Sequence, residues 1–448
     1  MDLQKVIESL LEKIAQLEAR IKTLEVENAL LRNKKNSSNS HLPPSQDIAR
    51  PKRNQSLRER TDKKVGGQPG HKGTTLECSS EVDEIIKHMP SSCSNCGNEL
   101  CDAPEVFLSA RQLVDIPPIA FTRIEHQLYQ KQCSCGHTMQ GDFPKHVASA
   151  VQYGPNVETL VSYLHARQYM PYGRMQEFLK DIMGLPISTG GIANILQRMA
   201  NKATPFYNEI KEKIAQATCI GADETGVKID GKNHWAWVWQ NDTHTYILCA
   251  QSRGFKTIEE VFSKGLPGAI VVHDRWASHF QMDAKGHQIC CAHLLRDLNY
   301  LNELYEYKCI WAKQFKILLQ DAIQLKKEFT EVDYLSPNKK RNTLGNKLKR
   351  LLNFSIPEEH AKSKTLQKSL STKSECILHF LLHQNVPPDN NGSERAIRNI
   401  KVKLKISGQF KTLESANVFA ILRSVIDTTI KAGNNVLNSL YQIATFEY

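Results

Sequence analysis

Three acids stand where the chain changes element. Asp223 lies in Gly221-Ala222-Asp223-Glu224-Thr225-Gly226. Asp274 follows the apolar run Ala269-Ile270-Val271-Val272, and Glu394 lies in Asp389-Asn390-Asn391-Gly392-Ser393-Glu394-Arg395. Carboxylates are hard oxygen donors that suit Mg²⁺ or Mn²⁺. Three of them around two ions about 3.5–4 Å apart can serve an in-line phosphoryl displacement. One ion activates a water or a 3′ hydroxyl and the other stabilises the leaving oxygen, so no side-chain general base is required. We therefore expect Asp223, Asp274 and Glu394 to meet as a metal-binding trio, with Glu224 and Asp389 as the neighbouring alternatives. Arg275, Arg395 and Arg398 suit bidentate phosphate contacts, and Lys401, Lys403 and Lys405 extend that basic run. His273 and His293 are candidates either to orient a scissile strand or to serve as satisfied structural groups.

A sheet must deliver the first two acids and a helix the third. Residues 217–224 read as a short central strand ending near Asp223. Residues 227–230, 234–240 and 245–249 read as further strands separated by turn signals, Gly231-Lys232-Asn233 and Asn241-Asp242. Residues 255–262 read as a helix and residues 269–272 as a short buried strand. A mixed sheet with acids on two of its strands is the skeleton of a ribonuclease-H-like core. The 120 positions between Asp274 and Glu394 exceed what such a core needs, so residues 300–385 are expected to form a helical insertion. The amphipathic stretch over 413–431 closes the chain.

The chain has 448 residues, a formal net charge of +11 and a pI near 9.0. That balance favours a polyanionic partner, nucleic acid first. No apolar run is long enough to span a bilayer, and the charged N-terminus is no signal peptide, which points to the cytoplasm and nucleoid. Leu3, Leu10, Leu17, Leu24 and Leu31 recur at heptad position d, and Ile7, Ile14, Ile21 and Asn28 at a. Ile at a with Leu at d and one polar a residue favours a parallel dimer in fixed register. From residue 34 to about 75 the chain is polar, Pro- and Gly-rich and basic, ending in Gly66-Gly67-Gln68-Pro69-Gly70-His71-Lys72-Gly73. It reads as a flexible arm that adds phosphate contacts.

Twelve cysteines without a secretory signal favour metal binding over disulfides. Cys93-Ser94-Asn95-Cys96 and Cys133-Ser134-Cys135 offer four thiolates for a structural Zn²⁺. Cys78, Cys101 and His137 are less well placed. Gly97 and Gly136 follow the two pairs, and residues 106–116 and 121–129 between them look like the strands of a small β ribbon. Over 175–201 the pattern helix, Gly184-Leu185-Pro186, Ser188, helix is that of a helix-turn-helix.

These stretches together with Lys35-Asn36-Ser37-Ser38-Asn39-Ser40, Pro43-Pro44-Ser45, Val272-His273-Asp274, Cys291-Ala292-His293-Leu294-Leu295-Arg296 and Asp389 to Arg398 resemble the insertion-sequence-66 family of transposases, the transposase C type, over nearly the whole chain. The resemblance implies a DDE recombinase with Asp223, Asp274 and Glu394 as its acids, double-stranded DNA (element ends and target) as partner, and accessory proteins from the same element. One departure is local: Asn399-Ile400-Lys401-Val402-Lys403-Leu404-Lys405 stands where many members carry a Pro and a Gly-Arg-Lys-Asn run. The expected organisation is multidomain α/β. Residues 1–33 form a dimerisation zipper, 34–75 a basic linker, 76–146 a zinc module, and 147–215 a helical, helix-turn-helix DNA-binding domain. Residues 216–299 form the first part of the ribonuclease-H-like core, 300–385 the insertion and 386–448 the closing helices. A non-catalytic zinc-containing DNA-binding regulator and a nuclease that cuts without joining are the rival readings.

Overall fold

A computed structural model describes residues 3–32 and 76–446. The expected basic linker, residues 34–75, therefore lies outside the described residues. Residues 76–121 belong to one compact unit and the other described residues to a second.

Helix α1 (Leu3–Arg32) carries the heptad pattern. Ile7, Leu10, Ile14, Leu17, Ile21, Leu24 and Leu31 are all exposed along it. In the unit of residues 76–121 the strand expected over 106–116 does not form, and Val106, Phe107, Leu108 and Leu113 are exposed. In the larger unit, residues 122–129 form no ladder either. What pairs is β1 (Gln130–Gln132) with β2 (Thr138–Gln140), antiparallel. Alternating apolar residues make a strand only where a partner strand takes the amides and a second layer takes the apolar face.

Helices α2 (Pro155–Ala166), α3 (Tyr172–Met183) and α4 (Thr189–Ala215) follow. Gly184, at φ 65°, closes α3. Ser188 caps α4 by accepting from the Gly191 amide at 3.0 Å. Two helices joined by a short capped turn are thus present, and α4 continues for 27 residues. Its Ile192, Ile195, Leu196, Met199 and Ile210 face is buried where it packs along α13 (Leu413–Lys431).

The central sheet has five strands in the order β5-β4-β3-β6-β7. They are β3 (Cys219–Ile229), β4 (Lys232–Gln240), β5 (Thr245–Ala250), β6 (Leu266–His273) and β7 (Ala284–Ile289). The first three form an antiparallel meander, while β6 and β7 run parallel to β3. Helices α5 (Phe255–Val261) and α6 (Ala277–Phe280) lie in the crossovers, as parallel pairing requires. The sequence reading broke the first strand after Glu224. β3 instead runs on to Ile229, because β4 pairs with it without interruption from Gly221↔Gln240 to Ile229↔Lys232. Asp223 is consequently inside a long strand and not at its end. The turn is Asp230-Gly231, with φ 49° and 71°, the type I′ geometry that matches strand twist.

The outer edge of β5 is sealed. Thr428 Oγ1, Ser424 Oγ and Asn417 Oδ1 on α13 accept the amides of Thr245, Ile247 and Cys249 at 3.2, 2.9 and 3.0 Å. Unpaired edge amides would otherwise invite another chain. α13 is buried on most of its sides rather than amphipathic. Its Arg423, 1% exposed, pairs with Asp427 and donates to the Ala166 carbonyl at 3.0 Å. Beyond β7, α7 (Cys291–Leu304) leads into the stretch read as an insertion, which α8 (Ile310–Glu328), α9 (Glu331–Leu335), α10 (Lys339–Leu352) and α11 (Ala361–Ser371) occupy. Trp311, Phe315 and Phe380 fill a core there that is continuous with Ile270, Val272 and Ile289 of the sheet. α12 (Asn391–Ser407) then returns to β3 and β4, and α14 (Val436–Thr445) packs on α2. Among the described residues, no helix is long and apolar enough to cross a membrane.

Candidate active site

Strand register aligns the first two acids. Gly221 pairs with Val272 across the parallel β3–β6 contact, and two residues further along each chain stand Asp223 and Asp274. Residues two apart share a sheet face, so both acids leave the sheet at the same level. The third acid arrives with α12. Gly221 carries no side chain, and Asn390 and Ser393 occupy the space a Cβ would need: it would meet Asn390 Oδ1 at 2.4 Å and Ser393 Oγ at 2.6 Å. Asn390 Nδ2 donates to the Ala222 carbonyl at 2.8 Å, and Ser393 Oγ donates to Asn390 Oδ1 at 2.7 Å. Glu394 follows in the first turn of α12, where the helix dipole favours an anion.

Each acid is held by a donor. Asp223 Oδ1 accepts from the Glu224 amide at 2.9 Å, and Asp274 Oδ1 accepts from the Trp276 amide at 2.8 Å. Arg296 Nη2 donates to Glu394 Oε1 at 3.2 Å, with His293 Nε2 at 3.8 Å. Burial, then the neighbouring charges of Glu224, Asp274 and Glu394, push the Asp223 carboxyl well above the usual carboxylate range. A gathering of like charges of this kind is relieved by a bound cation, and oxygen donors of this type fit Mg²⁺ or Mn²⁺. Among the described residues, the group whose ligand atoms all lie within 4.8 Å of one another is Cys290, His293 and Glu394. Asp223 and Asp274 stand outside that tight circle. Two ions about 3.5–4 Å apart use a wider ring of ligands than a single ion does.

The alternatives to the trio are engaged elsewhere. Glu224 points to the opposite sheet face, with its side chain fully buried. Arg253 Nε and Nη2 reach its Oε1 at 2.7 and 2.6 Å, and His279 Nε2 reaches its Oε2 at 2.9 Å. Arg253 lies in turn over the rings of Trp276 and Trp235, at 3.7 and 4.7 Å. Asp389 Oδ1 accepts the Asn391 amide at 3.0 Å at the start of α12. His273 is completely buried, with Nε2 3.2 Å from His287 Nδ1, which takes it away from any bound strand.

The basic residues divide. Arg395, Arg398 and Lys405 are exposed on α12. Arg275 is paired with Asp297, and Lys401 Nζ donates to the Gly226 carbonyl at 2.8 Å. Lys403 corrects the expectation of a DNA contact. It is 3% exposed, and its ammonium faces the Tyr169 and Met170 carbonyls at 3.5 and 3.4 Å. One basic run on a helix faces inward and outward in turn, since successive positions rotate about the axis. Arg296, Asn390, Ser393 and Cys290 were not singled out from sequence. Arg296 lies one turn beyond His293, a spacing that could have flagged it. Asn390 and Ser393 stand in the stretch quoted around Glu394, but their contacts with β3 depend on where α12 docks.

The cysteine pairs each form a tight turn. In the smaller unit the Gly97 amide donates to the Cys93 carbonyl at 2.8 Å, with Gly97 at φ 76°. In the larger one the Gly136 amide donates to the Cys133 carbonyl at 2.9 Å, with Gly136 at φ 87°. Backbone amides hold both first thiols below their usual range: those of Asn95 and Cys96 at Cys93, and that of Cys135 at Cys133. Lowered thiols surrounded by amide donors are the form in which cysteine ligates a metal.

Comparison with known families accounts for both regions. Residues 90–136, spanning both cysteine pairs, match the zinc-finger binding domain of transposase IS66. Residues 2–77 match a family of unknown function, and no curated protein matches the chain. Residues 150–418, which contain the whole sheet, all three acids and α12, match the model described as the Transposase IS66 family. That match covers more than half of the 448 residues, and the chain therefore belongs to the IS66 family of transposases.

Proposed function

We propose that this transposase binds the ends of its insertion sequence, cuts a DNA strand there and joins the freed 3′ hydroxyl to target DNA, with Asp223, Asp274 and Glu394 as its metal-holding acids. The observation that carries the reading is the convergence of one β3 residue, one residue just past β6 and the first turn of α12, with Asn390 bonded to the Ala222 carbonyl at 2.8 Å. A mixed sheet with an acid on its central strand and another at the end of the parallel neighbour supports a ribonuclease-H-like core.

Mg²⁺ or Mn²⁺ held by the trio would supply activation of a water or 3′ hydroxyl and stabilisation of the leaving oxygen. The chain's own residues do the positioning. The amides of Glu224 and Trp276 each fix one oxygen of Asp223 and Asp274, which sets the direction of the other. Arg296 holds Glu394 until a bound ion competes for it. Exposed Arg395, Arg398 and Lys405 on α12 take backbone phosphates beside the acids, contacts that position DNA without reading its sequence. Cys93, Cys96, Cys133 and Cys135 hold a structural Zn²⁺, a role the zinc-finger match supports. The exposed Ile and Leu stripe of α1 pairs two copies, bringing two element ends together, with accessory proteins of the same element as further partners. The absence of an apolar spanning helix among the described residues is compatible with a cytoplasmic, nucleoid-bound protein.

The test is strand cleavage and strand transfer on DNA carrying the ends that flank the gene, with Mg²⁺ or Mn²⁺, comparing wild type with Glu394→Gln. Metal-dependent cutting and joining, lost in the variant, is the expected result. Cutting that persists in the variant would remove Glu394 from the trio, and cutting without joined products would favour a nuclease.

A further inference from the structure

Cys290, His293 and Glu394 make a second donor set that the trio does not explain. Cys290 is the residue just past β7 and the N-cap of α7. His293 lies three residues on, so both side chains project from the same first turn. Glu394 approaches from the first turn of α12. One ligand atom from each of the three lies within 4.8 Å of the others. His293 Nε2 and Glu394 Oε1 are 3.8 Å apart. Metal–ligand bonds of about 2.0–2.3 Å at tetrahedral angles separate donors by roughly 3.3–3.8 Å, so this pair already stands near that spacing.

The sulfur environment is an independent observation. Cys290 is fully buried, yet its Sγ accepts the Asn390 amide at 3.2 Å. A thiol packed as an inert apolar group needs no such donor; this amide fixes the sulfur beside the ligand atoms of His293 and Glu394. The set is one sulfur, one imidazole nitrogen and one carboxylate oxygen. Mg²⁺ and Ca²⁺ take oxygen donors, while a thiolate with an imidazole selects a borderline-soft ion.

We propose that Cys290, His293 and Glu394 form a Zn²⁺ site with three protein ligands and a fourth position open, distinct from the four-cysteine module. Arg296, 3.2 Å from Glu394, gives up that carboxylate when zinc binds. The site shares Glu394 with the proposed trio. Zinc held there keeps Glu394 from Asp223 and Asp274, so it acts as an inhibitor of magnesium-dependent cutting. That consequence rests on the reading of the trio; the zinc site itself does not.

The experiment is metal analysis of the full chain, loaded with Zn²⁺ and dialysed, together with X-ray absorption at the zinc edge. Wild type is expected to retain two equivalents. Cys290→Ser and His293→Gln are expected to lose one, with unchanged far-ultraviolet circular dichroism. A Cys93→Ser/Cys96→Ser variant is expected to keep one equivalent whose shell holds a single sulfur beside nitrogen and oxygen. That last variant leaves Cys290 and its surroundings intact, so it decides the matter even if Cys290→Ser misfolds. The proposal is overturned if this variant retains no zinc, or if its zinc shows no sulfur ligand. Cleavage in Mg²⁺ without zinc reads the trio separately, so failure of one reading is distinguishable from failure of the other.

Discussion

Gly221→Ala is the substitution that connects packing to the site most directly. A Cβ at this position would lie 2.4 Å from Asn390 Oδ1, 2.6 Å from Ser393 Oγ and 2.7 Å from Gln240 Nε2. None of the three can swing aside without loss. Asn390 is 2% exposed and bonded to the Ala222 carbonyl, Ser393 is fully buried, and Gln240 Oε1 accepts from Lys431 at 2.9 Å. The N-terminus of α12 must therefore retreat from β3 and carry Glu394 with it. Overpacking of this kind costs roughly 1–3 kcal/mol, readable as a lower urea midpoint. The effect on chemistry is larger than that loss of stability implies, because a displacement of about 1 Å at a reacting centre can cost on the order of 100-fold in rate. Gly226→Ala is the matched control. It lies on the same strand, and its added Cβ meets nothing within 4 Å, so both stability and cleavage should stay close to wild type. The assay is single-turnover strand cleavage beside chemical denaturation for all three proteins. Equal cleavage rates for Gly221→Ala and Gly226→Ala, in folded protein, would show that the docking of α12 on Gly221 does not position the third acid.

Arg253→Gln removes the guanidinium that donates to the fully buried Glu224 carboxylate; we expect a loss of roughly 3 kcal/mol in the urea midpoint, and a loss under 1 kcal/mol would mean His279 suffices. Lys403→Met tests the inward-facing lysine. Burial holds the Lys403 ammonium down to about 8, against an ordinary value of 10.5. Between those two values the unfolded chain binds the proton and the folded one does not, so wild-type stability gains as pH rises through that window. The variant should therefore exceed wild type most near pH 7 and lose that advantage toward pH 10.5, and a gap independent of pH would refute the assignment. DNA affinity should be unchanged in Lys403→Met but should fall for Arg398→Ala and Lys405→Ala, each lowering the salt slope by about one. Deleting residues 1–33 should turn a dimer into a monomer in sedimentation, since Ile7, Leu10, Ile14, Leu17, Ile21, Leu24 and Leu31 are exposed on α1; a persistent dimer would move the interface elsewhere.

Local chemistry carried much of this molecule. The zipper pattern, the two cysteine turns with their glycines, the cap at Ser188 and the span of α13 depend on neighbours within a few residues, so the sequence displays them directly. Asp274 and Glu394 stand where the sequence marks an element boundary, an apolar run and an Asn-Gly-Ser-Glu helix start, whereas Asp223 lies inside β3. Tertiary structure decided what depends on facing partners. Uninterrupted pairing with β4 made one strand of what read as two, and the lack of a covering layer left residues 106–116 without a strand. Lys403 faces inward and Lys405 outward because α12 is packed on one side only. Glu224 is engaged by Arg253 and His279, which lie 29 and 55 positions away in the chain. Cys290 and Glu394 stand 104 positions apart, and only the return of α12 to the sheet makes them neighbours. Periodicity reports which side of an element is apolar; which partner arrives on that side is a property of the folded chain.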